Sequence, residues 1–131
     1  MVDDNEFNII SVRLLLQDKY DLEIDTATNG EIAVNMYDER LKRDCWCPNR
    51  VYKVIIMDIG MPVMNGIEAA TRITELQSGV ENGETLTNIV ALTSFTNEKV
   101  RKDCITAGMK EVYNKPLQSD TLKELMDKYF P

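Results

Sequence analysis

Val54, Ile55, Ile56 and Met57 form an unbroken apolar run that stops abruptly at Asp58. A run that short, with no polar alternation, fits a strand covered on both faces rather than one with a face in water. That requirement constrains the rest of the chain, because something must supply a layer above the sheet and another below it. Short β-rich runs do alternate with longer stretches of helical spacing, the pattern of a parallel sheet with helices on both faces. The chain is therefore expected to be α/β.

The spacing predicts a helix from Glu6 to about Lys19, a strand over Leu22 to Thr26, a turn at Asn29-Gly30 and a helix from Glu31 to about Arg43. An irregular stretch follows from Asp44 to Tyr52, containing Cys45, Trp46, Cys47 and Pro48. After the Val54–Met57 strand come a loop with Met61-Pro62 and Asn65-Gly66, a helix from Ile67 to Gln77 and a linker from Ser78 to Thr87. Ile89 to Leu92 is the next strand, and Asn97 to Ala107 a helix ended by Gly108. Val112 to Asn114 is a short strand, and Ser119 to Tyr129 the terminal helix. The first helix carries two apolar stripes nearly opposite each other, Phe7, Ile10 and Leu14 on one side and Ile9, Val12 and Leu16 on the other. One should meet the core. The stripe of Ile9, Val12 and Leu16 is read either as a docking face for a partner or as completing the core.

A length of 131 residues with 44% hydrophobic content fits one domain, burying roughly two-thirds of the surface its unfolded chain exposes. Twenty-two acidic residues against fifteen basic ones leave a formal charge of -7, which argues against a surface built to neutralise nucleic-acid phosphates. No apolar run approaches the about 20 residues of a membrane span, and the start lacks the order of a secretory signal, so the expected compartment is cytoplasmic. The three cysteines match no common zinc or redox spacing and read as reduced thiols. The chain has no histidine, which removes triads and metal sites that need imidazole and any role as a phosphohistidine donor.

Asp58, Thr93 and Lys115 each fall at the carboxyl end of an expected strand, and in an open parallel sheet that edge is where ligands bind. Asp3 and Asp4, just before the first helix, bring the set to three carboxylates, a hydroxyl and an ammonium. Taken singly, each residue has an ordinary structural explanation as a cap, a loop residue or a solvated charge. Together they suit a hard cation and a phosphoryl group.

Met-Asp-x-Gly-Met-Pro-x-Met-Asn-Gly at 57 to 66, Leu-Thr-Ser at 92 to 94 and Asn-Lys-Pro-Leu at 114 to 117 resemble the response-regulator receiver family. So do Val-Asp-Asp-Asn at 2 to 5 and Ala-Gly-Met at 107 to 109, and the likeness extends over the whole chain from Val2, most like the receivers of hybrid histidine kinases. The resemblance implies one receiver domain over 1–131 with a flavodoxin-like sheet of order 2-1-3-4-5. It implies that Asp58 accepts a phosphoryl group from a phosphohistidine on a histidine kinase or phosphotransfer domain and that the chain then changes shape toward a downstream protein. It further implies Asp4, Asp58 and the carbonyl of Gly60 as ligands to Mg2+, with Asp3 acting through water and Mn2+ as a second suitable ion. Ile59, Thr93, Ser94 and Lys115 would hold the phosphoryl oxygens, Asp58, Thr93 and Lys115 being the catalytic set. Such a domain catalyses its own phosphorylation and dephosphorylation without being an enzyme toward a diffusible substrate, and a cis Lys115-Pro116 peptide is also implied. The runner-up function is a protein-binding module of receiver architecture that works without phosphorylation.

Three departures stand against the family pattern. Only Met1 and Val2 precede Asp3, so the first strand is expected to be largely missing, leaving the edge of Val54–Met57 unpaired. The chain then reads as truncated at that strand or completed by a partner's, and the Met1 amino group is expected close to Asp3 and Asp4, weakening the metal. The aromatic residue expected three positions before the lysine is Val112 here, with Tyr113 offset by one and hence on the opposite face. The 44–52 loop is longer than usual, with Trp46 read as packing on the domain or marking a contact surface.

Overall fold

A computed structural model of the chain describes residues 1–20, 22, 24–42, 52–61, 63–78 and 87–130. The elements are α1 (Glu6–Tyr20), α2 (Gly30–Leu41), β1 (Val54–Asp58), α3 (Gly66–Ser78), β2 (Asn88–Thr93), α4 (Glu98–Thr106), β3 (Glu111–Asn114) and α5 (Ser119–Tyr129). Three asparagines begin helices by accepting an orphan amide: Asn29 from Ile32 at 2.9 Å, Asn65 from Glu68 at 2.9 Å and Asn97 from Val100 at 2.8 Å. Asn29-Gly30 and Asn65-Gly66 are thus helix starts, not free turns. Gly108 takes a φ of 99° just past α4, the left-handed geometry that ends a helix.

β1, β2 and β3 pair in that order, all parallel. Alternation along the strands sorts their side chains between two cores. Ile55, Met57, Ile89 and Ala91 face Ala33 and Tyr37 of α2, Ala69, Ala70 and Ile73 of α3, and Cys104 of α4. Ile56, Val90 and Leu92 face Val12 and Leu16 of α1 and Leu122, Leu125 and Met126 of α5. Each buried Val, Leu, Ile or Met among them contributes about 1.5–3 kcal/mol. The result is the three-layer, flavodoxin-like arrangement expected.

The stripe of Ile9, Val12 and Leu16 is core, 4–6% exposed, which removes it as a docking face. Phe7, Ile10 and Leu14 are the exposed ones, at 79%, 49% and 61%. Choice between the stripes was set by α5, whose apolar face meets Val12 and Leu16. Among the described residues of the expected Leu22–Thr26 strand, Leu22 and Ile24 to Thr26, none is in a strand, and Ala27 makes an isolated parallel bridge to Val2, because a strand needs a neighbour along its length. Val2 bridges Met57 as well, its N–H donating to Ile56 at 2.8 Å and its carbonyl accepting from Asp58 at 2.9 Å. One residue therefore stands where a central strand is expected, and among the described residues none pairs with the Val54 end of the β1 edge on that side. Trp46, Cys45, Cys47 and the 44–51 stretch lie outside the described residues.

Gly66 fixes how closely α3 approaches the end of β1. A Cβ there would lie 2.3 Å from the Asp58 carbonyl oxygen and 2.7 Å from Ile59 Cα, both backbone atoms that cannot turn aside. Gly66→Ala is expected to destabilise the chain by about 3 kcal/mol, as overpacking of a tight contact does. Gly60→Ala, whose added methyl meets nothing within 4 Å, should change stability by about 0.5 kcal/mol or less. Urea unfolding of the two variants checks the contrast.

Candidate functional site

Parallel strands bring their carboxyl ends to one edge, so Asp58 at the end of β1, Thr93 at the end of β2 and Lys115 just after β3 meet there. Val2, paired to both sides, carries Asp3 and Asp4 to the same edge. The carboxylates of Asp3, Asp4 and Asp58 offer oxygens all within 4.8 Å of one another. Asp3 and Asp58 are buried and Asp4 is exposed. The group has one wet side.

Burial of Asp3 is tolerated because both its oxygens are engaged. Oδ1 accepts the Asn5 N–H at 2.8 Å, and Oδ2 accepts Asn8 Nδ2 at 3.2 Å and faces Lys115 Nζ at 3.3 Å. Asn8 was not among the expected residues; its one signal is an amide in the first turn of the helix that follows the acidic pair. Asp58 is less fully satisfied. Its Oδ1 accepts the Gly60 N–H at 3.1 Å, while Oδ2 lies 3.0 Å from Lys115 Nζ as an ion pair without hydrogen-bond alignment. Among the described residues it is the one buried side-chain oxygen with no hydrogen bond.

Burial raises the Asp58 carboxyl above its ordinary pKa and the Asp3 charge adds to this, against the pull of Lys115 and the Gly60 amide. Burial works against the Lys115 ammonium, but Asp58 and Asp3 beside it leave its pKa raised, so it stays cationic. One ammonium faces three carboxylates, two of them buried. A hard divalent ion suits this all-oxygen set, and the orphaned Asp58 oxygen is an unfilled acceptor for it or for a phosphoryl group.

The Thr93 hydroxyl donates to the Phe95 carbonyl at 2.8 Å and accepts the Phe95 N–H at 3.1 Å, so at rest it is tied to its own loop. Ser94 and Phe95 are exposed, and Thr96 is hydrogen-bonded to Asn114 next to Lys115. The Ile59 N–H donates to the Leu92 carbonyl at 3.1 Å, knitting β1 to β2. Gly60 supplies the amide that points at Asp58. The direction of a main-chain N–H in a loop has no sequence signal. The Lys115-Pro116 peptide is cis.

Two further expectations meet the structure here. Tyr113 packs on the α1/α5 side with its hydroxyl donating to Glu111 at 2.9 Å, whereas Val112 packs on the other side, the opposed faces that a one-residue offset requires. The Met1 amino group, expected beside Asp3 and Asp4, instead donates to the Asp25 carbonyl at 3.1 Å. Desolvation lowers its pKa to about 6, with Asp25 and Arg13 as its charged neighbours.

The profile of the response regulator receiver domain matches residues 1–127. Two-component response regulator 24 of Arabidopsis thaliana is 30% identical over 128 residues, covering 98% of this chain and 81% of that protein. Hybrid signal transduction histidine kinase F of Dictyostelium discoideum is 33% identical over 129 residues, 98% of this chain but 11% of the kinase. The chain thus spans about a tenth of that relative's length.

Among solved structures, the receiver domain of Ssk1, in co-crystal with the histidine phosphotransfer protein Ypd1 of Saccharomyces cerevisiae, superposes with a TM-score of 0.81. It is 26% identical, with 98% of this chain and 84% of that one covered. The receiver domain of a sensor histidine kinase from Pseudomonas aeruginosa, with a magnesium ion in its active-site cleft, gives a TM-score of 0.73 at 25% identity, with 98% and 92% covered.

Proposed function

The chain belongs to the response regulator receiver domain family, and from that premise we propose that Asp58 is its phosphoryl acceptor. In the transfer, the bond between phosphorus and the imidazole nitrogen of a donor phosphohistidine breaks, a bond from phosphorus to an Asp58 carboxylate oxygen forms, and the imidazole keeps the electron pair. The observation that carries this reading is Asp58 Oδ2, buried without a hydrogen bond, 3.0 Å from Lys115 Nζ and grouped with Asp3 and Asp4.

Mg2+, held by Asp4, Asp58 and the Gly60 carbonyl with Asp3 in support, would neutralise charge on the transferring group; Mn2+ fits the same oxygens. Lys115 supplies fixed positive charge to the phosphoryl oxygens and stays ionised because Asp3 also holds it. The Gly60 amide orients Asp58. Thr93 exchanges its bond to Phe95 for one to a phosphoryl oxygen, and Ser94 and Phe95 move with it, which presents a changed loop to a downstream protein. Hydrolysis of the acyl phosphate by the same site resets it, and no diffusible substrate is turned over. The phosphorylation-independent alternative rested on a failed first strand, and the Val2 pairing to both sides removes its motive. Among the described residues no helix is long and apolar enough to cross a membrane, and the reading places the domain on the cytoplasmic side with its donor.

The donor docks on the exposed face of α1. Phe7, Ile10 and Leu14 form an apolar stripe, and its first residue adjoins the site, the Phe7 N–H donating to Asn5, whose own N–H holds Asp3. Phe7→Ser is expected to slow transfer from a phosphorylated histidine phosphotransfer protein about tenfold, the loss of one apolar anchor worth about 1.4 kcal/mol. Labelling by a small acyl phosphate should be unchanged. Equal transfer rates for variant and wild type would place the donor elsewhere.

A further inference from the structure

Asp3 carries its carboxylate at 0% exposure, so the donors that reach it decide how its charge is tolerated. There are three among the described residues. The Asn5 N–H serves Oδ1 at 2.8 Å, while Oδ2 takes both Asn8 Nδ2 at 3.2 Å and Lys115 Nζ at 3.3 Å. An ionised carboxylate only accepts, so the Asn8 amide turns its NH2 toward it. Asn8 lies in the first turn of α1, and its main-chain N–H donates to the Asn5 carbonyl at 3.1 Å. The turn that carries the amide is thus tied back to the residue after the acidic pair. This donor is neutral and held in place, whereas the lysine is charged and long.

Lys115 is the group that two sites want. Its ammonium lies 3.3 Å from Asp3 and 3.0 Å from Asp58, and the acceptor role of Asp58 asks the same ammonium to meet the phosphoryl oxygens. Beside it is a cavity of about 80 Å³, lined by Asp3, Asn8, Ser11, Leu92, Lys115 and Pro116 among others, which gives the ammonium room to shift. When it turns away from Asp3, a buried oxygen loses its cation. A second donor on that same oxygen keeps the loss tolerable, and among the described residues Asn8 is that donor.

We propose that Asn8 is a positioning residue for phosphoryl transfer: its amide shares Asp3 Oδ2 with Lys115, so that the ammonium passes to the phosphoryl oxygens without leaving a buried carboxylate oxygen bare. The inference rests on Asp58 as the acceptor. Without the amide, Asp3 holds the lysine for itself, and the transition state loses part of its positive charge. Metal affinity depends on other contacts. Asn8 donates to Asp3 and not to Asp4, Asp58 or Gly60, the proposed direct ligands, so its loss should slow transfer without weakening the metal.

Asn8→Ala, which keeps α1 because alanine is the strongest helix former, tests this in two ways. Labelling by a small acyl phosphate at saturating magnesium should slow about tenfold, while the magnesium concentration giving half the maximal rate changes by less than about twofold. A rate within about twofold of wild type would overturn the proposal. So would a loss of rate matched by an equal loss of magnesium affinity, which would make Asn8 a general support of the acidic site. Urea unfolding in EDTA needs neither metal nor phosphoryl group. There the double variant Asn8→Ala/Lys115→Ala should have an unfolding constant at least about fivefold above the product of the two single effects, because Asp3 Oδ2 is then left with no donor. Simple multiplication of the two effects would overturn the sharing of that oxygen. No labelling of the wild-type chain, with the coupling in urea intact, would instead overturn Asp58 as acceptor and with it the role of Asn8 in transfer.

Discussion

Asp58→Asn is expected to cut phosphoryl uptake at least about a thousandfold, because an amide oxygen is no nucleophile toward phosphorus and no other carboxylate can stand in its place. Asp3 is held at both oxygens by Asn5, Asn8 and Lys115, and Asp4 is out in solvent. The fold should survive, since asparagine keeps the shape and removes a charge whose burial is unfavourable. That charge has its own signature in the absence of metal. An acid whose pKa is higher folded than unfolded binds more protons when folded, so its folding is favoured as the pH falls toward the ordinary carboxylate range. In EDTA, the wild-type chain should gain stability relative to Asp58→Asn as the pH drops from neutral toward about 4. Urea unfolding at several pH values checks it. A relative loss of wild-type stability on acidification would mean that Lys115 and the Gly60 amide outweigh burial at Asp58.

Lys115→Ala should have the second-largest effect, on both stability and transfer. The ammonium bridges Asp3 and Asp58 at 3.3 and 3.0 Å, and its loss leaves two buried carboxylates without a cation. Breaking a fully buried pair costs about 3–5 kcal/mol; with the lysine side chain partly open to solvent, about 2 kcal/mol is expected in EDTA. Millimolar magnesium should return most of it, because the ion replaces the missing charge. Phosphoryl transfer should still fall about a hundredfold, since the lysine stabilises charge that grows only in the transition state. Magnesium that restored the transfer rate as fully as the stability would reduce Lys115 to a structural counter-ion.

The layers of this fold were legible because its strands are short apolar runs with polar stops. Asp58, Thr93 and Lys115 could be placed together before any coordinates, since the ends of parallel strands share an edge. What could not be read depended on tertiary partners. Two equally apolar stripes on α1 differ only in which one meets Leu122, Leu125 and Met126 of α5. Leu22–Thr26 has the composition of a strand, but its described residues pair with no strand among the described residues, and composition does not show that. That the Ile59 amide serves Leu92 and the Gly60 amide serves Asp58 could not be read either, because the direction of a loop amide follows from its hydrogen-bonding partner. Asn8 reaches Asp3 from the helix that follows, a contact of position rather than of pattern. Val2 keeps the acidic pair at the sheet edge through main-chain bonds that any apolar residue could make.

Intact mass after exposure to a small acyl phosphate, with and without magnesium, tests the acceptor role of Asp58 most directly. The expected result is a single phosphoryl adduct on the wild-type chain that requires magnesium and is absent from Asp58→Asn. No adduct on a demonstrably folded wild-type chain, or an adduct of equal yield on Asp58→Asn, would contradict it.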